Sequence, residues 1–138
     1  MKKLIHSKIF YKKLQKQYSR KINLNLKRIK IALKKLGNMH LSIKNPINII
    51  GSDGKYSTLK SLQFFIQSNK EKVTAFTSPH LYDVRHRFWL KDKFITTKEL
   101  KNNVEMIKKL KVQLTLFELL TLIYLISASK IKKTSYAL

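Results

Sequence analysis

Apolar residues stand at Phe10, Leu14, Tyr18, Ile22, Leu26, Ile29, Leu33 and Leu36. Steps of three and four are the spacing of a helical stripe, so the pattern predicts a helix near 3–18 and a second near 25–36. Asn23 and Asn25 can cap the second helix, and Gly37 can close it in a left-handed conformation. Residues 38–46, ending in Asn45-Pro46, read as a loop. Ile47-Asn48-Ile49-Ile50 is a short apolar run rich in β-branched residues, which suits a buried strand. A glycine-bearing turn at Gly51-Ser52-Asp53-Gly54-Lys55 breaks it. From Ser57 to Gln67 the spacing of Leu59, Leu62, Phe65 and Ile66 predicts a helix, and Val73-Thr74-Ala75-Phe76-Thr77 predicts a second strand. Two buried strands joined by a helix form a βαβ unit, with parallel strands and a right-handed crossover. Phe88 to Ile95 suggests a hairpin turning at Lys91-Asp92. Thr97 can cap a helix reaching about Leu110, and Thr115 to Ser127 reads as a mostly apolar, buried helix. The expected class is therefore α/β.

Composition sharpens this picture. A chain of 138 residues suffices for one domain with a modest core, and 43% hydrophobic residues is a globular share. Lys and Arg number 30 against 7 Asp and Glu, a formal charge of +23. Such a balance suggests a polyanionic partner, and a small basic nucleic-acid-binding protein is the alternative reading. However, only Arg20, Arg28, Arg85 and Arg87 are arginines. Base readout favours the planar guanidinium, so the lysines read better as solvated faces, and no specific nucleic acid is expected. Residues 1–36 hold thirteen basic residues and no acid. They form a basic helical segment that could meet phosphates or an anionic membrane, or more simply solvate its lysines. The absence of cysteine excludes disulfides, thiolate metal sites and cysteine nucleophiles. Lys8, Lys12 and Lys13 interrupt any signal-like apolar region. The longest apolar stretch, Val112 to Ala128, carries Glu118, whereas a membrane span wants about 20 uncharged residues. No membrane partner is expected. A buried Glu118 would need a partner of its own.

One segment carries chemistry. A strand, then Gly51-Ser52-Asp53-Gly54-Lys55-Tyr56-Ser57-Thr58, then a helix is a phosphate-binding arrangement. Glycines let the backbone approach an anion, N–H groups at the helix start point toward it, and the helix dipole adds favourable potential. Lys55 can reach outer phosphates as a point charge. The strict pattern G-x-x-x-x-G-K-[ST] is not met, because Ile49 stands where Gly would and Tyr56 follows the lysine. On spacing alone a phosphate loop and an ordinary strand–helix turn both remain open.

Leu36-Gly37-Asn38-Met39-His40-Leu41 is similar to a segment L-G-N-P-H-L, and the Gly51–Ser57 loop to G-T-N-G-K-G-S. Phe76-Thr77-Ser78-Pro79-His80-Leu81 is similar to Y-T-S-P-H-L, Ile95-Thr96 to I-S, and Leu114-Thr115-Leu116-Phe117-Glu118 to L-T-x-F-E. In this order the five blocks resemble the folylpolyglutamate synthase and dihydrofolate synthase family of the Mur ligase superfamily, over roughly residues 20–128. It implies the N-terminal part of a P-loop-type ATP-binding domain, with the basic helical segment at 1–36 and the partial ATP-binding domain at 37–138. It also implies a reaction: ATP phosphorylates a carboxylate of dihydropteroate or folate, and the amine of L-glutamate attacks the acyl phosphate. Gly51, Ser52, Asp53, Gly54, Lys55, Tyr56, Ser57 and Thr58 would cradle the ATP phosphates, with Lys55 neutralising charge in transfer. Ser78 falls where the family places a magnesium ligand. Thr115 and Phe117 match positions near a pterin pocket, and Arg87 matches the Arg of N-E-R-I as a substrate contact. A cytoplasmic enzyme is implied.

The sequence also departs from that family. Asp53 replaces an Asn of the loop, Tyr56 replaces a Gly, Asp83 replaces an Arg, and Arg85-His86 replaces Asn-Glu. The family's third strand, its E-V-G-L-G-G segment with the Glu of the magnesium site, and its C-terminal domain find no counterpart. The chain thus resembles the N-terminal portion of such a ligase, from a fragment, a split gene or a decayed one, and in the split case a separate chain would supply the missing C-terminal part.

Overall fold

The computed structural model describes residues 2–21, 25–80, 82–131 and 135–138. Ile22, Asn23 and Leu81 lie outside them. Helix α1 spans Lys2–Gln17 and α2 spans Lys27–Lys35. Gly37 closes α2 at φ +70°, as its place predicts. Leu26, assigned to the buried stripe, is 59% exposed and stands at the N-cap of α2. Asn25 Oδ1 accepts from the Lys27 N–H at 2.8 Å. Helix α3 runs from Lys55 to Ser68, β1 from Val73 to Phe76, β2 from Phe88 to Lys91 and β3 from Lys93 to Phe94. Helix α4 covers Thr97–Lys108, α5 covers Leu116–Ser129 and β4 covers Tyr136–Ala137.

The sheet order is β3-β2-β1-β4. The predicted hairpin is present as β2 and β3. It pairs antiparallel to β1, with Ala75 opposite Trp89 and Phe76 opposite Phe88, so the sheet is mixed rather than parallel throughout. The parallel neighbour of β1 is β4, with Val73 opposite Tyr136. Residues 47–50 do not form a strand. Pro46 bridges Ala137 in parallel, and the Ile47 N–H donates to the Ala137 carbonyl at 2.7 Å. There the pairing stops, and Ile50 is 93% exposed. The two segments expected to be neighbours thus keep their parallel sense, with β4 between them.

Side chains alternate across the sheet as the pleat requires. Val73 and Ala75 pack with Leu59, Ile66 and Leu138 beneath α3. On the other face Phe88 and Leu90 join the larger core under α4 and α5, with Leu119, Leu120 and Ile123. Leu14 of α1 and Ala32 of α2 are buried in that same core. Within α3 the buried positions are Leu59, Gln63 and Ile66, whereas Phe65, expected inward, is 63% exposed. One helical turn separates the inward positions, and Phe65 falls off that line.

Two capping boxes fix the start of α4 and α5. Thr96, rather than Thr97, caps α4. Its spacing to Glu99 is that of S/T-x-x-E, while the residue three beyond Thr97 is Leu100. Thr115 caps α5, with Glu118 returning to the Thr115 N–H at 2.7 Å. Glu118 is buried and its second partner is Arg28, which donates Nε and Nη2 at 3.2 Å each. The acid inside the apolar run therefore has its partner, supplied by α2. Burial works to raise the Glu118 pKa, but hydrogen bonds from Thr115 and Arg28 outweigh it and hold the pKa below the ordinary value.

Candidate functional site

The loop at 51–54 leads directly into α3. Gly54 is its N-cap at φ +71°, and Gly51 has φ +156°. Both values fall where a Cβ is disfavoured, which explains glycine at each. The Thr58 N–H donates to the Gly54 carbonyl at 2.9 Å. By helix geometry, the N–H groups of Gly54, Lys55, Tyr56 and Ser57 have no partner within α3. Gly51 to Thr58 are all exposed. Lys55 folds back on its own loop, donating Nζ to the Gly51 carbonyl and to the Ser52 carbonyl at 2.6 Å. The ammonium thus already sits over the loop, held by two neutral acceptors that an anion can replace.

Beside the loop lies a cavity of about 720 Å³. Lys55, Tyr56 and Leu59 of α3 form one wall, and Phe76, Thr77 and Ser78 at the end of β1 form the floor. Phe117, Thr121 and Tyr124 of α5 form the opposite wall, one helical face at spacings of four and three. The position follows from topology, because open α/β sheets place their ligand crevice at the carboxyl ends of parallel strands. Phe76 stacks on Tyr124 with ring centroids 5.4 Å apart at 16°, and Phe117 stands 6.3 Å from Phe76. Phe117 is 58% exposed, an aromatic face free for a flat ligand. Burial pushes the Tyr124 phenol up to about 12, so it is neutral at pH 7. Its hydroxyl lies 3.1 Å from Thr74 Oγ1.

Behind the floor, Arg87 is buried at 7% exposure. Its Nη1 donates to Ser78 Oγ at 3.1 Å, and its Nε donates to His80 Nδ1 at 2.9 Å. Burial, then the Arg87 charge, lowers the His80 pKa, which keeps the imidazole neutral as an acceptor. Asp83 is engaged elsewhere, accepting from Arg85 Nη2 at 2.6 Å and from Ser7 Oγ at 2.7 Å.

The structure therefore brings Lys55, Tyr56, Ser78 and Phe117 to one cavity, with Arg87 directly behind Ser78. Gly51, Ser52, Asp53 and Gly54 stay on the exposed loop, and Ser57 and Thr58 on the exposed start of α3. Thr115 caps α5 beneath the site and is not among the residues lining the cavity. Sequence reasoning passed over His40, Thr121 and Tyr124. The 117–121–124 spacing on one helix was the available signal for the last two. His40 also lines the cavity, and its Nδ1 is buried without a hydrogen-bond partner among the described residues.

The magnesium site implied by the resemblance is not met by these residues. Magnesium wants oxygen ligands, usually one or two carboxylates among them. Among the described residues no group of three His, Asp or Glu could hold a metal, and Ser78 Oγ already accepts from the positively charged Arg87.

No family model and no curated protein matches the chain. Solved structures do match, and they show that the chain shares their mixed α/β fold. The likeness is to folylpolyglutamate synthases. E. coli FolC in complex with DHPP and ADP superposes with a TM-score of 0.84 at 21% identity, over 94% of this chain and 32% of that one. The bifunctional folylpolyglutamate synthase/dihydrofolate synthase of Yersinia pestis, complexed with AMPPNP and Mn, gives 0.83 at 22%, over 94% and 32%. Helicobacter pylori folylpolyglutamate synthetase gives 0.74 at 24%, over 92% and 33%. The fold is thus shared, and the chain spans about a third of the length of each.

Proposed function

We propose that this chain is the N-terminal part of an ATP-dependent ligase that joins L-glutamate to dihydropteroate or a folate, with its cavity serving as the phosphate and pterin side of the active site. The observation that supports this most is the position of the glycine loop. It opens a helix at the mouth of a cavity at the carboxyl end of β1, in a fold shared with structures complexed with ADP and AMPPNP.

In this reading the free N–H groups from Gly54 to Ser57 bind phosphate oxygens, with the hydroxyls of Ser57 and Thr58 at the loop margin. Lys55 exchanges the carbonyls of Gly51 and Ser52 for the outer phosphates and stabilises charge as the phosphoryl group moves to the substrate carboxylate. Ser52 and Asp53 shape the loop, and the Asp53 carboxylate opposes the polyphosphate. A flat heterocycle stacks on Phe117, with Thr115 fixing the helix that carries it. Since the described residues do not fit magnesium, no step is assigned to it. Amide formation needs groups beyond this third of the fold. No helix of the described residues is long and apolar enough to cross a membrane. A cytoplasmic setting fits the proposed substrates.

The test is a calorimetric titration with ATP of the chain and of Lys55→Ala. A charge-assisted contact contributes about 1.5–3 kcal/mol, so the variant should bind at least about tenfold more weakly. Equal affinity for the two proteins contradicts the assignment of Lys55.

A further inference from the structure

We propose that Ser78, backed by Arg87, is an oxyanion contact of the cavity and not a metal ligand. The inference rests on the cavity being the ligand site proposed above, and it assigns the chemistry of one wall.

Arg87 stands directly behind Ser78. Its guanidinium is buried, carries a full positive charge at neutral pH, and among the described residues has no carboxylate hydrogen-bond partner. Its partners are a neutral imidazole and a hydroxyl. The nearby carboxylate that could neutralise it, Asp83, is committed to Arg85 and Ser7. A buried charge without a counter-charge is costly, and an arriving anion removes that cost.

Ser78 transmits this to the cavity. Its Oγ accepts from Arg87, so one lone pair is used and its hydroxyl proton is left to point away from the guanidinium. Ser78 lines the cavity. A donor aimed into the cavity with a positive charge 3.1 Å behind it suits a phosphate or carboxylate oxygen. The same arrangement opposes a divalent cation, which would stand within a few ångströms of the guanidinium. The rest of the wall agrees. Lys55 and His40 line the cavity, and no Asp or Glu does so among the described residues. The two positive groups, Lys55 on the loop and Arg87 behind the floor, approach the cavity from different elements, so one polyphosphate or a phosphate and a carboxylate could meet both.

Two titrations test this. Tripolyphosphate is titrated into the whole chain in excess EDTA, and acetate is titrated separately to distinguish a phosphate contact from a carboxylate contact. Manganese alone is followed by water-proton relaxation. Wild type, Ser78→Ala, Arg87→Lys and Lys55→Ala are compared, with circular dichroism reporting folding. Ser78→Ala removes one oxygen and keeps Arg87 in place, so it decides the matter even if Arg87→Lys unfolds. Binding of either anion without metal, weakened about tenfold in Ser78→Ala, with no manganese bound at Ser78, supports the proposal. Anion binding that depends on Lys55 and is untouched in Ser78→Ala overturns it and leaves the loop assignment standing. Binding that depends on Ser78 and not on Lys55 supports it and removes the loop assignment. Manganese binding abolished in Ser78→Ala, or binding of neither anion at millimolar concentration, overturns it.

Discussion

Removal of the Glu118 carboxylate tests how an acid is held inside an apolar helix start. In Glu118→Ala three contacts go together: the return bond to the Thr115 N–H at 2.7 Å and two bonds from Arg28 at 3.2 Å. Loss of a cap interaction costs about 1 kcal/mol. The Thr115 N–H is then left buried, which adds about 1–3 kcal/mol. The Arg28 side chain is 29% exposed and can turn to water, so the ion pair itself adds at most about 1 kcal/mol. The sum is about 2–5 kcal/mol. Glu99→Ala removes the same capping device from α4, where the carboxylate has no Arg partner and the cap is exposed, and should cost about 1 kcal/mol. Urea unfolding followed by circular dichroism compares the two. A Glu118→Ala loss within roughly 0.5 kcal/mol of that for Glu99→Ala, about the uncertainty of additive effects, would mean that the buried contacts of Glu118 add nothing to the cap.

Acid stability follows from the same contacts. Glu118, Asp83 and Glu99 all have folded pKa values below their ordinary ones, so their contribution is complete above the unfolded pKa and is lost as pH falls through the folded one. Unfolding midpoints should therefore drop below about pH 4.5, and Glu118→Ala should flatten that drop. Leu119→Ala, at a site with 0% exposure in the larger core, should cost about 2–5 kcal/mol in urea unfolding. Phe65→Ser, on the outer face of α3, should change stability by less than about 0.5 kcal/mol in the same assay.

Much of the fold was legible because its helices are long and periodic. The stripe at Leu14, Ile29 and Leu33 and the apolar run before Ala128 both became helices packed on one core. The sheet was less legible. Tyr136–Leu138 is too short to show alternation, yet it pairs with both β1 and Pro46 and displaces the predicted neighbour strand. Ile47–Ile50 had strand composition without a strand's partners, since pairing ends at Ile47 and Ile50 faces solvent. The loop was visible in its glycines, and Ser78 and Phe117 through the family resemblance. Arg87 behind Ser78, and the turning of Lys55 onto its own loop, depend on distances between segments that no spacing encodes.

The most direct test of the central claim is where ATP lands on a chain of such high positive charge. Amide chemical-shift mapping of the full chain with ATP answers this. Shifts are expected to concentrate at Gly51 to Thr58 and at Thr77 and Ser78, around the cavity mouth. Shifts spread over the lysines of α1 and α2, with the loop unmoved, would contradict the central claim.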